Sequence, residues 1–286
     1  MKRLSLCFAS LALISTIAPT ARAYDAEIHQ QLTFIAARQF NQCVQYAPGM
    51  RRLSALDTRY VVKANVAQED RNFFTRIWRW DYYNRDGQKT RTSLGLIDTR
   101  FHDHFDKLVS RLEDSGERSD QLRNLGRILN HVQNVSSPAH AVPVYAGRWW
   151  RFSPSDRFNK HPVDTQRVEL MVAKYCAAIV SPTASLQEIL VTTADDTAAA
   201  VRNPIYGFPA TWESYWRFAA KMGDFGEYGA AGNSFGARTE FKCGDGQHCL
   251  LLENDPLYAD FAVQRHVDAV VATMRAISLL QVEDPI

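Results

Sequence analysis

The sequence carries almost no net charge. Of its 286 residues, 33 are Lys or Arg and 31 are Asp or Glu, a balance too even for a general nucleic-acid-binding surface. Beyond residue 23 no apolar run is long enough to cross a bilayer. There is no Gly-x-Ser-x-Gly elbow, Walker loop or dinucleotide-binding glycine fingerprint, so the common signatures of serine hydrolases and nucleotide enzymes are missing. Alternating, strand-like patterns are scarce, and no internal repeat or low-complexity linker divides the chain. These absences leave a helical chain of a size that suits one large domain with a proper core.

What is present starts with Lys2 and Arg3, the apolar run "LCFASLALISTIA" and the small-residue stretch "TARA". That order reads as a secretory signal cleaved after Ala23, so residues 1–23 are the signal, Tyr24 is the mature N-terminus, and the location is secreted or periplasmic. Removing Lys2, Arg3 and Arg22 takes the 33 basic residues to 30, against an unchanged 31 acidic ones. Cys7 leaves as well, and Cys43, Cys176, Cys243 and Cys249 remain. An even number in an exported chain favours disulfides. Cys243 and Cys249 flank "GDGQH", a loop of turn formers suited to a local bridge, and Cys43 with Cys176 follows by elimination. A metal loop built on His248 would lack the further thiolates or imidazoles such sites need.

Helical periodicity is strong. In "AEIHQQLTFIAARQF" the residues Ile28, Leu32, Ile35 and Ala36 fall on one side. Further helices are expected in "RFHDHFDKLVSRLED", in "SDQLRNLGRILNHVQN" with Ser119 as N-cap, and in "VDTQRVELMVAKYCAAIV". The last, "LYADFAVQRHVDAVVATMRAISLL", sets Phe261, Val267, Val270, Met274 and Ile277 on a core-facing stripe. The expected fold is all-α: one multi-helix domain over residues 24–286 with long ordered loops at 81–92, 138–162 and 222–249. Such loops are where binding residues tend to sit.

Candidate ligands are spread along this frame. A free amine at Tyr24 and the imidazole of His29 lie close in sequence at the start of the first helix. Asp70 ends "NVAQED", and Asp81 stands among aromatics in "RIWRWDYYNRDG". Asn130 and Asn134 are one helical turn apart, the spacing for two ligands on one cluster, and His140 follows Pro138. Asn130 and Asn134 also lie nearly opposite the apolar arc of Leu122, Leu125, Ile128, Leu129 and Val132, which equally allows a solvated polar face.

Together these segments resemble the zinc-dependent phospholipase C and P1/S1 nuclease superfamily, all-helical exported phosphodiesterases with a three-zinc site. "YDAEIHQQLTFIAA" is similar to the family's start, and the resemblance implies zinc ligation by the amine and carbonyl of Tyr24 and by His29. It makes Asp70 the general base for water. "WDYYNRDGQK" resembles the phospholipase branch and places Asp81 where a zinc-binding His is usual. "LNHVQNVSSPAHA" puts Asn130 at a His position, Asn134 at that of a bridging Asp, and His140 at the downstream His. "SDRFNKHPVDT" sets Asp156 on a His and Lys160 on a Glu; a one-residue shift offers Asn159 instead.

Tyr24, His29, Asp70 and His140 retain usable chemistry at their positions. Carboxylates at Asp81 and Asp156 can replace imidazole, whereas the neutral amides of Asn130 and Asn134 are poor zinc ligands, and a lysine beside the cation would repel it. Fewer than three zinc ions are therefore expected. The resemblance implies an exported phosphoric-ester hydrolase in which metal-activated water attacks a phosphodiester. Phospholipid is favoured over nucleic acid, with transient contact at a membrane surface. The alternatives are a catalytically impaired binding protein on the same scaffold, or a single-strand nuclease. His131 points about 100° away from Asn130 on the wheel, and His102, His104, His161 and His266 read as structural or solvent-exposed. The aromatics of "RWWRF", Arg148 to Phe152, read as loop packing.

Overall fold

A computed structural model describes residues 24–47, 49–69, 82–83, 85, 101–144, 156–181, 183–221, 224–244 and 246–281. Its architecture is mostly helical, as the periodicity predicts. Helix α1 spans Ala26–Cys43, α2 Ala55–Glu69, α3 Phe101–Glu113, α4 Arg118–Asn134 and α5 Pro138–Ala141. Helix α6 spans Thr165–Val172, α7 Cys176–Ile179, α8 Leu186–Arg202 and α9 Pro256–Leu279. Two short antiparallel ribbons complete it: β1 (Trp216–Arg217) with β2 (Glu227–Tyr228), and β3 (Thr239–Cys243) with β4 (Gln247–Leu251).

The helices start and stop for local reasons. Ser185 and Glu188 form a reciprocal capping box at the start of α8, and Asp255 caps α9 ahead of Pro256. Asp164 caps α6 by accepting from Arg167 N. Helix α4 begins two residues earlier than an N-cap at Ser119 implies: Glu117 occupies the N-cap position. Ser119 lies in the first turn and accepts from Arg123 Nη1 at 3.3 Å. The expected single helix after Val163 is broken by a tight turn at Ala173–Tyr175. That turn sets Cys176 against Cys43 of α1, their Cα atoms 5.0 Å apart.

One hydrophobic core runs through the described residues. Helix α4 is its centre, packed on α2, α3 and α9, while α1 lies against α2 and α9. The stripe of α1 (Ile28, Leu32, Ile35, Ala36) and that of α9 (Phe261, Val267, Val270, Met274, Ile277) are buried, as their spacing requires. Gly126 lets α4 approach α2. A Cβ there would overlap the Val61 carbonyl oxygen and stand 2.9 Å from Ala64 Cβ.

Both disulfides are formed, Cys43–Cys176 and Cys243–Cys249, as expected of a chain in an oxidising, extracellular-type compartment. The second staples the β3–β4 hairpin. This hairpin was not expected from the Gly-rich loop, although Thr239, Phe241 and Cys243 alternate inward along β3. Among the described residues no helix is long and apolar enough to cross a membrane.

Candidate functional site

The polar residues of α4 do not face solvent. Asn130, Gln133 and Asn134 are all buried, Asn130 and Asn134 at 2% and 1% exposure, which overturns the solvated-face alternative. The wheel sets Asn130 and Asn134 opposite the apolar arc of Leu122, Leu125, Ile128, Leu129 and Val132. Helices α2 and α9 pack on α4 and α1 reaches it through His29 and Thr33, so the polar side of α4 is covered as well.

Gln133 is the hub of what is buried there. Its Oε1 lies 2.6 Å from His29 Nδ1 and accepts from Asn65 Nδ2 at 3.0 Å. Its Nε2 donates to Thr33 Oγ1 at 3.0 Å and Thr273 Oγ1 at 3.1 Å. The direction of these bonds is set from their ends. Thr33 and Thr273 each donate their hydroxyl hydrogen to a backbone carbonyl one turn back, His29 O and Ala269 O. Their oxygens are thus left as acceptors, Gln133 must turn its NH2 toward them, and its oxygen faces His29. His29 Nδ1 therefore carries the proton, and the Nε2 lone pair is directed to Asn130 Nδ2 at 3.5 Å.

The amides continue outward from this hub. Asn130 Nδ2 also donates to Asn65 O and Asn65 Oδ1, both at 3.3 Å. Asn134 Nδ2 donates to Asn130 Oδ1 at 3.2 Å. The Asn134 Oδ1 atom, equally buried, receives no hydrogen bond among the described residues. Tyr24 is fully buried and lies over the same region. Its ring stands 5.8 Å from that of His29, and its hydroxyl bonds Ser136 Oγ at 3.2 Å. Burial raises the Tyr24 phenol well above its ordinary pKa, so it stays a neutral hydroxyl.

The other predicted ligands have separate occupations. Asp156 is buried and caps the turn Arg157–Lys160: Oδ1 accepts from Phe158 N at 2.9 Å, and Oδ2 from Trp216 Nε1 at 2.8 Å and Tyr228 OH at 2.9 Å. Burial holds its carboxyl pKa above the ordinary value, and these three donors offset only part of that rise. Asn159, rather than Lys160, faces inward. Its Oδ1 accepts from Ser137 Oγ at 2.6 Å and its carbonyl from Asp25 N at 3.0 Å, while Lys160 is exposed. His140 is buried and stacks on Tyr82, centroids 5.0 Å apart and planes within 10°. Its carbonyl accepts from Tyr83 N.

Asp70 and Asp81 lie outside the described residues, as does the Arg148–Phe152 stretch. His131 turns away from Asn130, as the wheel requires, into a pocket of Phe101, Phe105 and His104 rings. His266, on α9, is buried against Tyr24 and Phe158.

The structure thus brings together Tyr24, His29, Asn130 and Asn134, and joins them to Gln133, Asn65, Thr33 and Thr273, which sequence reasoning passed over. A signal for Gln133 was present. Asn130, Gln133 and Asn134 repeat at i, i+3 and i+4, a polar stripe on a helix with too few charges to need a wet face. Asn65, set between Ala64 and Val66 and four residues after buried Val61, carried a similar hint.

Searches of protein-family models, of curated proteins and of solved structures found no match to this chain.

Zinc takes thiolate, imidazole and carboxylate ligands, and the charge of the anionic ones offsets that of the cation. Among the described residues no group of three or more His, Cys, Asp or Glu side chains is placed to hold a metal. One imidazole nitrogen of His29 serves Gln133, and both oxygens of Asp156 serve the turn and the aromatic pair. Of the other matched positions among the described residues, His140 stacks on Tyr82, and Asn130, Asn134 and Asn159 are neutral amides. Among the described residues this donor set does not fit zinc. It is well suited to what it does make, a network of hydrogen bonds that ties α1, α2, α4 and α9 together.

Proposed function

We propose that this chain is an exported helical binding protein, built on a phospholipase C and P1 nuclease-like scaffold, in which a structural amide network replaces the metal cluster. The observation that carries the reading is the placement of Gln133 and Asn130 on the two nitrogens of His29, 2.6 Å and 3.5 Å away. An imidazole held this way orients helices. The scaffold part of the proposal is supported by the meeting of two matched segments, Tyr24 with His29 and Asn130 with Asn134, whose contacting residues His29 and Asn130 are 101 positions apart.

A second reading, the metal-dependent phosphodiesterase acting on a phospholipid headgroup ester, is favoured by one atom. The buried Asn134 Oδ1 is an acceptor without a donor among the described residues, and a cation would satisfy it. That reading needs Asp70 and Asp81 to reach the same place. Metal analysis of the mature protein, begun at Tyr24, decides between the two. The binding reading expects zinc at background and no hydrolysis of phosphorylcholine esters or single-stranded DNA with zinc added. Stoichiometric zinc, lost when a residue is added ahead of Tyr24, would establish the enzyme instead. Asn130→His with Asn134→Asp is expected to raise zinc content over wild type if the network stands where a cluster once stood.

A further inference from the structure

We infer that the cavity between the end of α8 and the β1–β2 ribbon binds a small organic anion, one phosphate or carboxylate group carried on a compact apolar body. The cavity has a volume of about 230 Å³ and is lined by Arg85, Arg202, Lys221 and Phe218, with Asp224 at one side. Three cationic side chains around one hollow are distinctive in a chain whose charges otherwise nearly cancel.

Two of these cations are held by the same ring. The guanidinium carbon of Arg202 stands 4.0 Å from the centroid of Phe218, and that of Arg85 stands 5.5 Å from it. A guanidinium stacked on an aromatic face is oriented without using its N–H edge, which is the edge that grips a carboxylate or phosphate in two parallel bonds. The acidic neighbours are distant for ion pairs, Glu213 at 3.9 Å from Arg202 and Asp195 at 3.7 Å from Arg85, and both pairs are solvent-exposed. Such loose pairs are weak competitors for a ligand that desolvates the guanidinium.

The opposite wall is backbone held in place. Val144 bridges Gly226, and Gly226 N donates to Pro143 O at 2.9 Å. A Cβ at Gly226 would overlap the Arg217 carbonyl oxygen, so the close approach of the ribbon depends on that glycine. Val142, Pro143, Ala219 and Ala220 make this side apolar. A lone phosphate or carboxylate would leave that space unfilled, and Asp224 opposes a second negative group. The lining therefore suits one anionic head beside the arginines and a small apolar body against the wall.

This inference deepens the binding reading by giving it a ligand class, and rests on that reading only in treating the ligand as bound rather than consumed. Calorimetric titration of the disulfide-intact protein with phenyl phosphate, with benzoate and with uncharged benzyl alcohol tests it. At least one anion is expected to bind at one site per chain and benzyl alcohol is not; the two anions separate phosphate from carboxylate recognition. Arg202→Gln is expected to weaken binding by about tenfold or more, the loss typical of a charge-assisted bond. Arg202→Lys is expected to recover part of it, because lysine keeps the charge but not the planar stack. Arg85→Gln gives an independent reading should the Arg202 variant fold poorly. Absence of binding by both anions, or binding that neither arginine variant weakens, overturns the inference. Stoichiometric zinc or release of phenol would overturn the binding reading and leave this site standing.

Discussion

Replacing Gln133 by leucine removes the hub of the buried network while keeping nearly the same volume. Four hydrogen bonds go. Their loss is uneven. Thr33 Oγ1 still receives Asn65 Nδ2 at 2.9 Å, and both threonines keep their own bonds to the turn behind. The His29 Nδ1–H and the second Asn65 bond, by contrast, lose an acceptor in a region closed to water. A buried donor left without a partner costs about 1 to 3 kcal/mol, so the variant should lose about 2 to 6 kcal/mol. Cooperativity within the network makes the upper half of that range the better expectation. With a urea dependence of about 3 kcal/mol per molar, the unfolding midpoint falls by about 0.7 to 2 M. Fluorescence of the buried Trp212 and Trp216 reports the transition. Gln45→Leu, at an exposed position, serves as control and should move the midpoint little. A Gln133→Leu midpoint within about 0.3 M of wild type would refute the claim that this network holds the helices together.

Three further outcomes are expected. Burial drives the His266 pKa down from about 6.5 to about 3, so the folded chain keeps it neutral while the unfolded chain binds a proton below about pH 6.5. Stability is thus full above that pH and is lost as pH falls toward 3, by up to about 5 kcal/mol. His266→Phe should flatten this acid limb, and an unchanged slope in denaturation from pH 7 to 4 would contradict it. Gly126→Ala should lower the melting temperature by several degrees, since the α2 backbone must shift to admit a methyl group; an unchanged melting curve would show that α2 yields freely. Cys43→Ala with Cys176→Ala opens a link across 133 residues and should cost about 4 to 5 kcal/mol on the chain-entropy account, read as a lower urea midpoint than in the Cys243→Ala, Cys249→Ala variant.

The helical class, the core faces of α1 and α9 and both disulfide pairings were legible in the chain, because each rests on local spacing or on counting. Ile28, Leu32 and Ile35 can meet a core on only one side of a helix, and the four cysteines beyond residue 23 leave few pairings. The hairpin β3–β4 was harder to see, because its alternation is one strand long and sits among glycines. Residue types also fixed one chemical fact outright: Asn130 and Asn134 carry no charge whatever surrounds them.

Their surroundings were decided by the tertiary structure alone. From the wheel, Asn130 and Asn134 could face water or ligands. They do not face water, because α1, α2 and α9 close over α4 and bring Asn65, Thr33 and Thr273 to the same few ångströms from three other helices. Asp156 and Asn159 could equally not be told from Lys160 by spacing, since a turn of four residues decides which side chain points inward. Helical periodicity predicts that a face is covered or open within one element. What covers it, and whether a buried polar atom finds a donor, depends on contacts between residues of different helices, 32 to 140 positions apart in this network, which no local pattern records.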